Sequence, residues 1–114
     1  MTVQLFVGKK LIAGNLRVAD NFGLRLRGLM FRKCIELDEG LIIPKCNWVH
    51  TMFMNFPIDI LYLNSSYTIV DAVDNVKPWS MCYPRFKAKH TVELAPGTIA
   101  NKSLRLGEVI RCIA

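Results

Sequence analysis

Ile58-Asp59-Ile60-Leu61-Tyr62-Leu63-Asn64-Ser65-Ser66-Tyr67-Thr68-Ile69-Val70-Asp71-Ala72-Val73 is the stretch that decides the fold of this chain. Two apolar runs, rich in β-branched and aromatic residues, flank Asn64-Ser65-Ser66, whose short polar side chains favour a turn. Runs of this length joined by so short a link make an antiparallel hairpin. Upstream, Val3 to Val7 and Lys10 to Ala13 form a second hairpin around Gly8-Lys9. Between the hairpins, Gly40 to Pro44 reads as a short buried strand and Val49 to Phe53 as another. Lys77-Pro78-Trp79 breaks the pattern and opens an irregular segment through Pro84.

Alternation returns from Arg85 to Leu94, up to the break at Ala95-Pro96-Gly97. Phe86, Ala88, His90, Val92 and Leu94 would share one face, and Arg85, Lys87, Lys89, Thr91 and Glu93 the other. Glu108 to Ile113 supplies a last strand. Helix signals are few. Asp20 caps a helix from Asn21 towards Arg27, ended by Gly28, and Thr98 to Ser103 suits one turn. The expected architecture is mostly β (a β-rich α+β domain). It is a compact curled antiparallel sheet or partly open barrel with one or two short helices, residues 1–114 making a single domain.

Composition agrees with a packed core. The chain has 114 residues, 52% hydrophobic and 21% charged, with a mean hydropathy of +0.26, which excludes a disordered chain. Its net charge of +6 and pI near 9.4 permit weak attraction to anions. The basic residues are scattered, and the densest group, Arg85, Lys87 and Lys89, fits the solvated face of a strand. Nucleic acid is accordingly disfavoured as a partner. Cys34, Cys46, Cys82 and Cys112 form no CxxC pair, and the first residues lack the basic-then-apolar order of a secretory signal. No apolar stretch reaches the length of a membrane span. A cytoplasmic protein with free thiols is expected.

Candidate sites are sparse. Cys46 and His50, four residues apart, could join Cys82 and His90 around zinc, although a zinc site usually takes its ligands as two close pairs and only one is present. Cys46 and His50 could instead act as thiolate and base, which needs hydrogen-bond reach and a third orienting group. Met30, Met52, Met54 and Met81 could ligate Cu(I), but methionine is the common gap-filler of cores. Asp59 interrupts an apolar run, where a carboxylate needs a partner, and Arg25 is the attractive one. A pocket would be rimmed by Arg25, His50, Thr51, Met54, Asn55 and Asp59, with Glu93 as a further polar candidate. No phosphate loop, GxSxG elbow or HExxH is present.

Three blocks carry a resemblance. They are Arg25-Leu-Arg-Gly28-Leu-Met30-Phe-Arg32, then Val49-His50-Thr51-Met52-Phe53-Met54-Asn55-Phe56-Pro57-Ile58-Asp59-Ile60, then Thr91-Val92-Glu93-Leu94-Ala95-Pro96-Gly97-Thr98 followed by Leu106-Gly107-Glu108. In this order and spacing they resemble the small bacterial and archaeal proteins of domain-of-unknown-function family 192, over roughly residue 15 to the C-terminus. The resemblance implies a compact, mostly β domain and no activity. It is inexact at Met54-Asn55-Phe56 and at Gly107-Glu108.

The leading expectation is a non-enzymatic binding or accessory module, without cofactor, whose ligand is a small molecule or a protein partner. The alternative is a small metal-dependent or thiol enzyme using His50, Cys46, Asp59 or His90. Weak nucleic-acid binding through Arg85, Lys87 and Lys89 comes third.

Overall fold

The computed structural model describes residues 2–19, 21, 29–30 and 32–114. Seven strands and one helix follow in the order β1 (Thr2–Val7), β2 (Lys10–Val18), β3 (Glu39–Ile43), β4 (Ile58–Leu63), β5 (Ile69–Val76), β6 (His90–Leu94), α1 (Thr98–Asn101) and β7 (Ile110–Ile113). They make a single sheet ordered β5-β4-β6-β3-β2-β1-β7, curled into a half-barrel.

Both expected hairpins are present. β4 pairs antiparallel with β5, and the Asn64 side chain accepts from the amides of Ser66 and Thr68 to shape the turn. β1 pairs antiparallel with β2 through Gly8, whose φ of 59° is a conformation glycine takes without strain. The sheet is mixed rather than wholly antiparallel, because β2 and β3 run parallel. Two parallel neighbours need a crossover of a dozen residues or more, and the chain from 19 to 38 supplies that length.

Two further expectations change. Val49 to Phe53 is not a strand, since Phe53 has a φ of 63° and the Met54 amide turns back onto the Thr51 carbonyl. Residues 85–89 are not a strand either, because β6 starts only at His90. Thr98–Asn101 supplies one of the expected helical turns. The other expected helix, capped by Asp20 and ended by Gly28, lies outside the described residues except for Asn21, and Arg25 lies outside them too.

The core divides between the two faces of the sheet. The first cluster draws on all seven strands, as the inside of a curl must, with Leu5, Leu16, Leu61, Ile69, Val92 and Ile110 among its members. The second covers the outer side of β3, β4 and β5, where Leu41, Ile43, Ile58, Ile60 and Tyr62 meet Val49, Met54, Phe56 and Ala88. β4 is buried along its whole length, which explains its nearly unbroken apolar run. Gly40 lets β3 approach β6, since a Cβ there would stand 2.6 Å from the Glu93 carbonyl oxygen.

Candidate functional site

The second cluster is roofed by two loops, residues 44–57 and 77–89. They lie side by side and are tied by backbone bonds: Thr51 N–H donates to the Ser80 carbonyl (2.7 Å), Trp79 N–H to that of Thr51 (2.8 Å) and Cys82 N–H to that of Val49 (3.0 Å). Thr51 is the rivet. Its fully buried hydroxyl donates to the Lys77 carbonyl at 2.6 Å and accepts from the Ser80 amide at 2.8 Å.

Beneath the loops, the sheet carries polar groups that are not satisfied. Glu93 is 3% exposed, its Oε2 has no hydrogen-bond partner, and burial pushes its carboxyl up to about 8. The Tyr62 hydroxyl is likewise buried, with a weak contact to the Cys82 thiol in place of an oxygen or nitrogen partner. Burial raises both the Tyr62 phenol and the Cys82 thiol beside it. Arg85 closes over this corner. Its guanidinium lies 4.8 Å from the centre of the Tyr62 ring while Nε donates to Asp71 at 2.7 Å. Orphaned buried polar atoms are rare in folded proteins, so two on one face mark it out.

Above, the loops are aromatic and cationic. Trp48, Phe53, Trp79, Met81, Tyr83 and Phe86 are all exposed, Tyr83 at 83% and Phe86 at 91%. Lys45, Lys77, Lys87 and Lys89 stand among them, also exposed. Neither loop contains a single Asp or Glu. Among the described residues none of these four lysines forms an ion pair; those present join Arg32 to Glu39 and Arg85 to Asp71. A cleft of about 470 Å³ opens where the loops meet, lined by Lys45, Cys46, Asn47, Trp48, Ala88 and Lys89.

The residues singled out in the sequence are only partly brought together. His50 and Thr51 sit in the first loop with buried Met54, and Asn55 donates from its side chain to the Arg32 carbonyl at 2.8 Å. Asp59 is on the other face of the sheet, in line with Leu61 and Leu63. Its carboxylate accepts from the amides of Asn75 and Ile99, both at 2.8 Å. It therefore caps α1 and pins an irregular turn of β5, while its expected partner, Arg25, lies outside the described residues.

The proposed zinc ligands do not assemble. Cys46 Sγ donates to the Trp48 carbonyl, and the Nδ1 of His50 accepts from the Met52 amide. His90 follows the alternation of Val92 and Leu94 onto the inner face, stacks on Tyr67 at 4.9 Å and accepts from the Lys45 amide. Burial, then Lys89 and Lys45, hold its imidazole below the ordinary range. Among the described residues no group of three or more His, Cys, Asp or Glu is placed to hold a metal ion. Cys46 and His50 do not bond to each other, their donors and acceptors being spent on neighbouring backbone. All four cysteines are free thiols.

The family model DUF192, an uncharacterised ACR, matches residues 3–112. The chain belongs to this family. A UPF0127 protein of Pyrococcus furiosus is 36% identical to the DUF192 chain over 100 residues, covering 82% of each. A UPF0127 protein of Thermococcus sibiricus is 31% identical over 105 residues, covering 89% of this chain and 68% of its own length. A solved structure of a Novosphingobium aromaticivorans protein of unknown function superposes with a TM-score of 0.83, at 18% identity, over 97% of this chain and 84% of that one. A second, from Sinorhizobium meliloti, gives 0.80 at 21% identity, over 96% and 91%. At such identities the likeness is one of fold. It confirms the curled β architecture and assigns no chemistry to the DUF192 loops.

Nothing local in the sequence marks Tyr62 as a polar group, or Lys45, Lys77, Trp79 and Phe86 as parts of one surface. Tyr62 was hidden in an apolar run. The absence of acids from both loops, by contrast, can be counted directly in the sequence.

Proposed function

We propose that this DUF192 protein is a non-enzymatic binding module that holds an anionic partner on the face formed by residues 44–57 and 77–89. The observation behind it is the concentration there of exposed aromatic side chains and unpaired lysines, on two loops that contain no Asp or Glu of their own. A surface of one charge sign draws in counter-ions and ligands of the other, and exposed rings supply apolar contact once they arrive. Free thiols favour a reducing compartment, so the proposed location is the cytoplasm. No helix among the described residues is long and apolar enough to cross a membrane.

A thermal-shift panel of metals, nucleotides, saccharides, small acids, acidic peptides and oligonucleotides tests this function. A ligand that binds only the native state raises the melting temperature by mass action. Anionic members should raise it and neutral ones should not, and the shift should vanish in the Lys45→Glu/Lys89→Glu double variant. A flat panel, or a shift that survives the double variant, would overturn the assignment.

A further inference from the structure

The cleft narrows the class of anion. Its lining combines two lysines, Lys45 and Lys89, with Trp48 and Asn47. A flat aromatic group fits the ring, a phosphate fits the ammonium groups, and the amide can serve a polar edge. A nucleotide unit has all three. Elsewhere in the second loop the pattern repeats along the chain, as Lys77-Pro-Trp79 and as Tyr83-Pro-Arg85-Phe86-Lys87. Proteins that hold single strands use this pairing of stacking rings and a cationic track, because every base has a face and every linkage a charge.

As a strand, this segment would put Arg85, Lys87 and Lys89 on one solvated face, which, with the scatter of the other basic residues, disfavours nucleic acid. The segment is instead a loop, and its Lys89 lines the cleft with Lys45 and Trp48. Arg85 itself is taken by Asp71 and Tyr62, which leaves Lys87 and Lys89 of the original three. A bilayer surface suits the arrangement less well. Interfacial segments keep their cations on one face and their apolar residues on the other. Here lysines and rings are interleaved, so inserting Trp48 or Phe86 would draw Lys45 or Lys87 towards hydrocarbon.

Resting on the anion-binding function proposed above, we propose that the loop face binds single-stranded nucleic acid, one base stacking on Trp48 and the flanking phosphates lying between Lys45 and Lys89. Fluorescence anisotropy of a short labelled oligothymidylate tests it, with polyphosphate and phosphatidylcholine vesicles containing a quarter phosphatidylserine as competitors. Engagement of the four lysines gives a log–log salt slope near −2.8, about 50-fold weaker binding from 50 to 200 mM salt. Trp48→Ala should weaken binding roughly tenfold and Trp48→Phe should restore most of it, since a ring is what stacking requires. The melting temperature of each variant checks that it folds. Equal competition by polyphosphate with no effect of Trp48→Ala would leave a generic anion site and overturn the nucleic-acid assignment alone. Binding to vesicles and not to oligothymidylate would overturn it in favour of a membrane. No binding to any of the three would remove the anion-binding function as well.

Discussion

Asp59 and Glu93 stand on neighbouring strands, β4 and β6, and both are shut away from water. They face opposite sides of one sheet and meet opposite fates. Asp59, on the inner face, gives both oxygens to backbone amides that would otherwise be orphans at the start of α1 and at the end of β5. Glu93, on the outer face, has an oxygen with no partner and a carboxyl that stays protonated near neutrality. The inner side is finished as structure. On the outer side, an unsatisfied layer lies below loops whose surface is rich in exposed rings and cations. A fold that satisfies one buried carboxylate so completely leaves the other short of a partner, and the difference sets the loop side apart from the inner face.

The largest test of that contrast is Asp59→Ala. Hydrogen bonds to a charged acceptor contribute about 1.5–3 kcal/mol each, so losing two should cost roughly 3–6 kcal/mol in urea denaturation. A loss under about 1 kcal/mol would mean that the two amides find other partners. Glu93 should behave in the opposite way. Its folded-state value of about 8 lies above the ordinary 4.5, so the native state holds a proton that the unfolded chain releases. The associated stability is therefore complete below about pH 4.5 and is lost as pH rises through 8. Between pH 6 and pH 8 the protein should lose about 2 kcal/mol from this group, and Glu93→Gln should flatten that slope. Parallel pH profiles for the two proteins would show that Glu93 is ionised throughout.

Much of this architecture was legible. Ile58–Leu63, the Asn64 turn and the Gly8 hairpin announce themselves because local turn chemistry and β propensity agree there. The parallel joint between β2 and β3 was not legible, since it is made by residues more than twenty apart and carries no local signal. Alternation from Arg85 to Lys89 misled for a related reason: Arg85 is turned aside by Asp71 and Tyr62, distant partners that override a period of two. At the site, single chemical oddities such as Asp59 and the Cys46–His50 spacing drew attention, and both proved to be spent on backbone. The surface property, a lack of carboxylates over two separate loops, becomes visible only when the loops are known to be neighbours.

A smaller effect separates the loops from the sheet they cover. Thr51→Val keeps the shape of the buried side chain and removes the hydroxyl that holds Lys77 and Ser80. The part-buried bonds to the Ser80 amide and the Lys77 carbonyl are then lost, at a cost of about 1–3 kcal/mol. Amide exchange should quicken at Trp79 and Ser80, while β4 and β6 stay protected. Exchange that quickens equally across the sheet would mean that loops and sheet open as one unit.

Smallest in stability is Phe86→Ser. Phe86 is 91% exposed, so truncation removes almost no buried area and should move stability by less than about 0.5 kcal/mol. Leu61, wholly buried in β4, gives the counterpart: Leu61→Ala should cost about 2–5 kcal/mol from lost transfer energy and the cavity left behind. A phenylalanine held in water, between Arg85 and Lys87, gains the fold nothing and exposes apolar surface to chance association. If the loop face binds nucleic acid as proposed, Phe86→Ser should weaken oligothymidylate binding while leaving the melting temperature in place. Were the melting temperature to fall by several degrees and binding stay the same, Phe86 would belong to the packing of the second cluster, and the boundary drawn between loop face and core would have to move outward to include it.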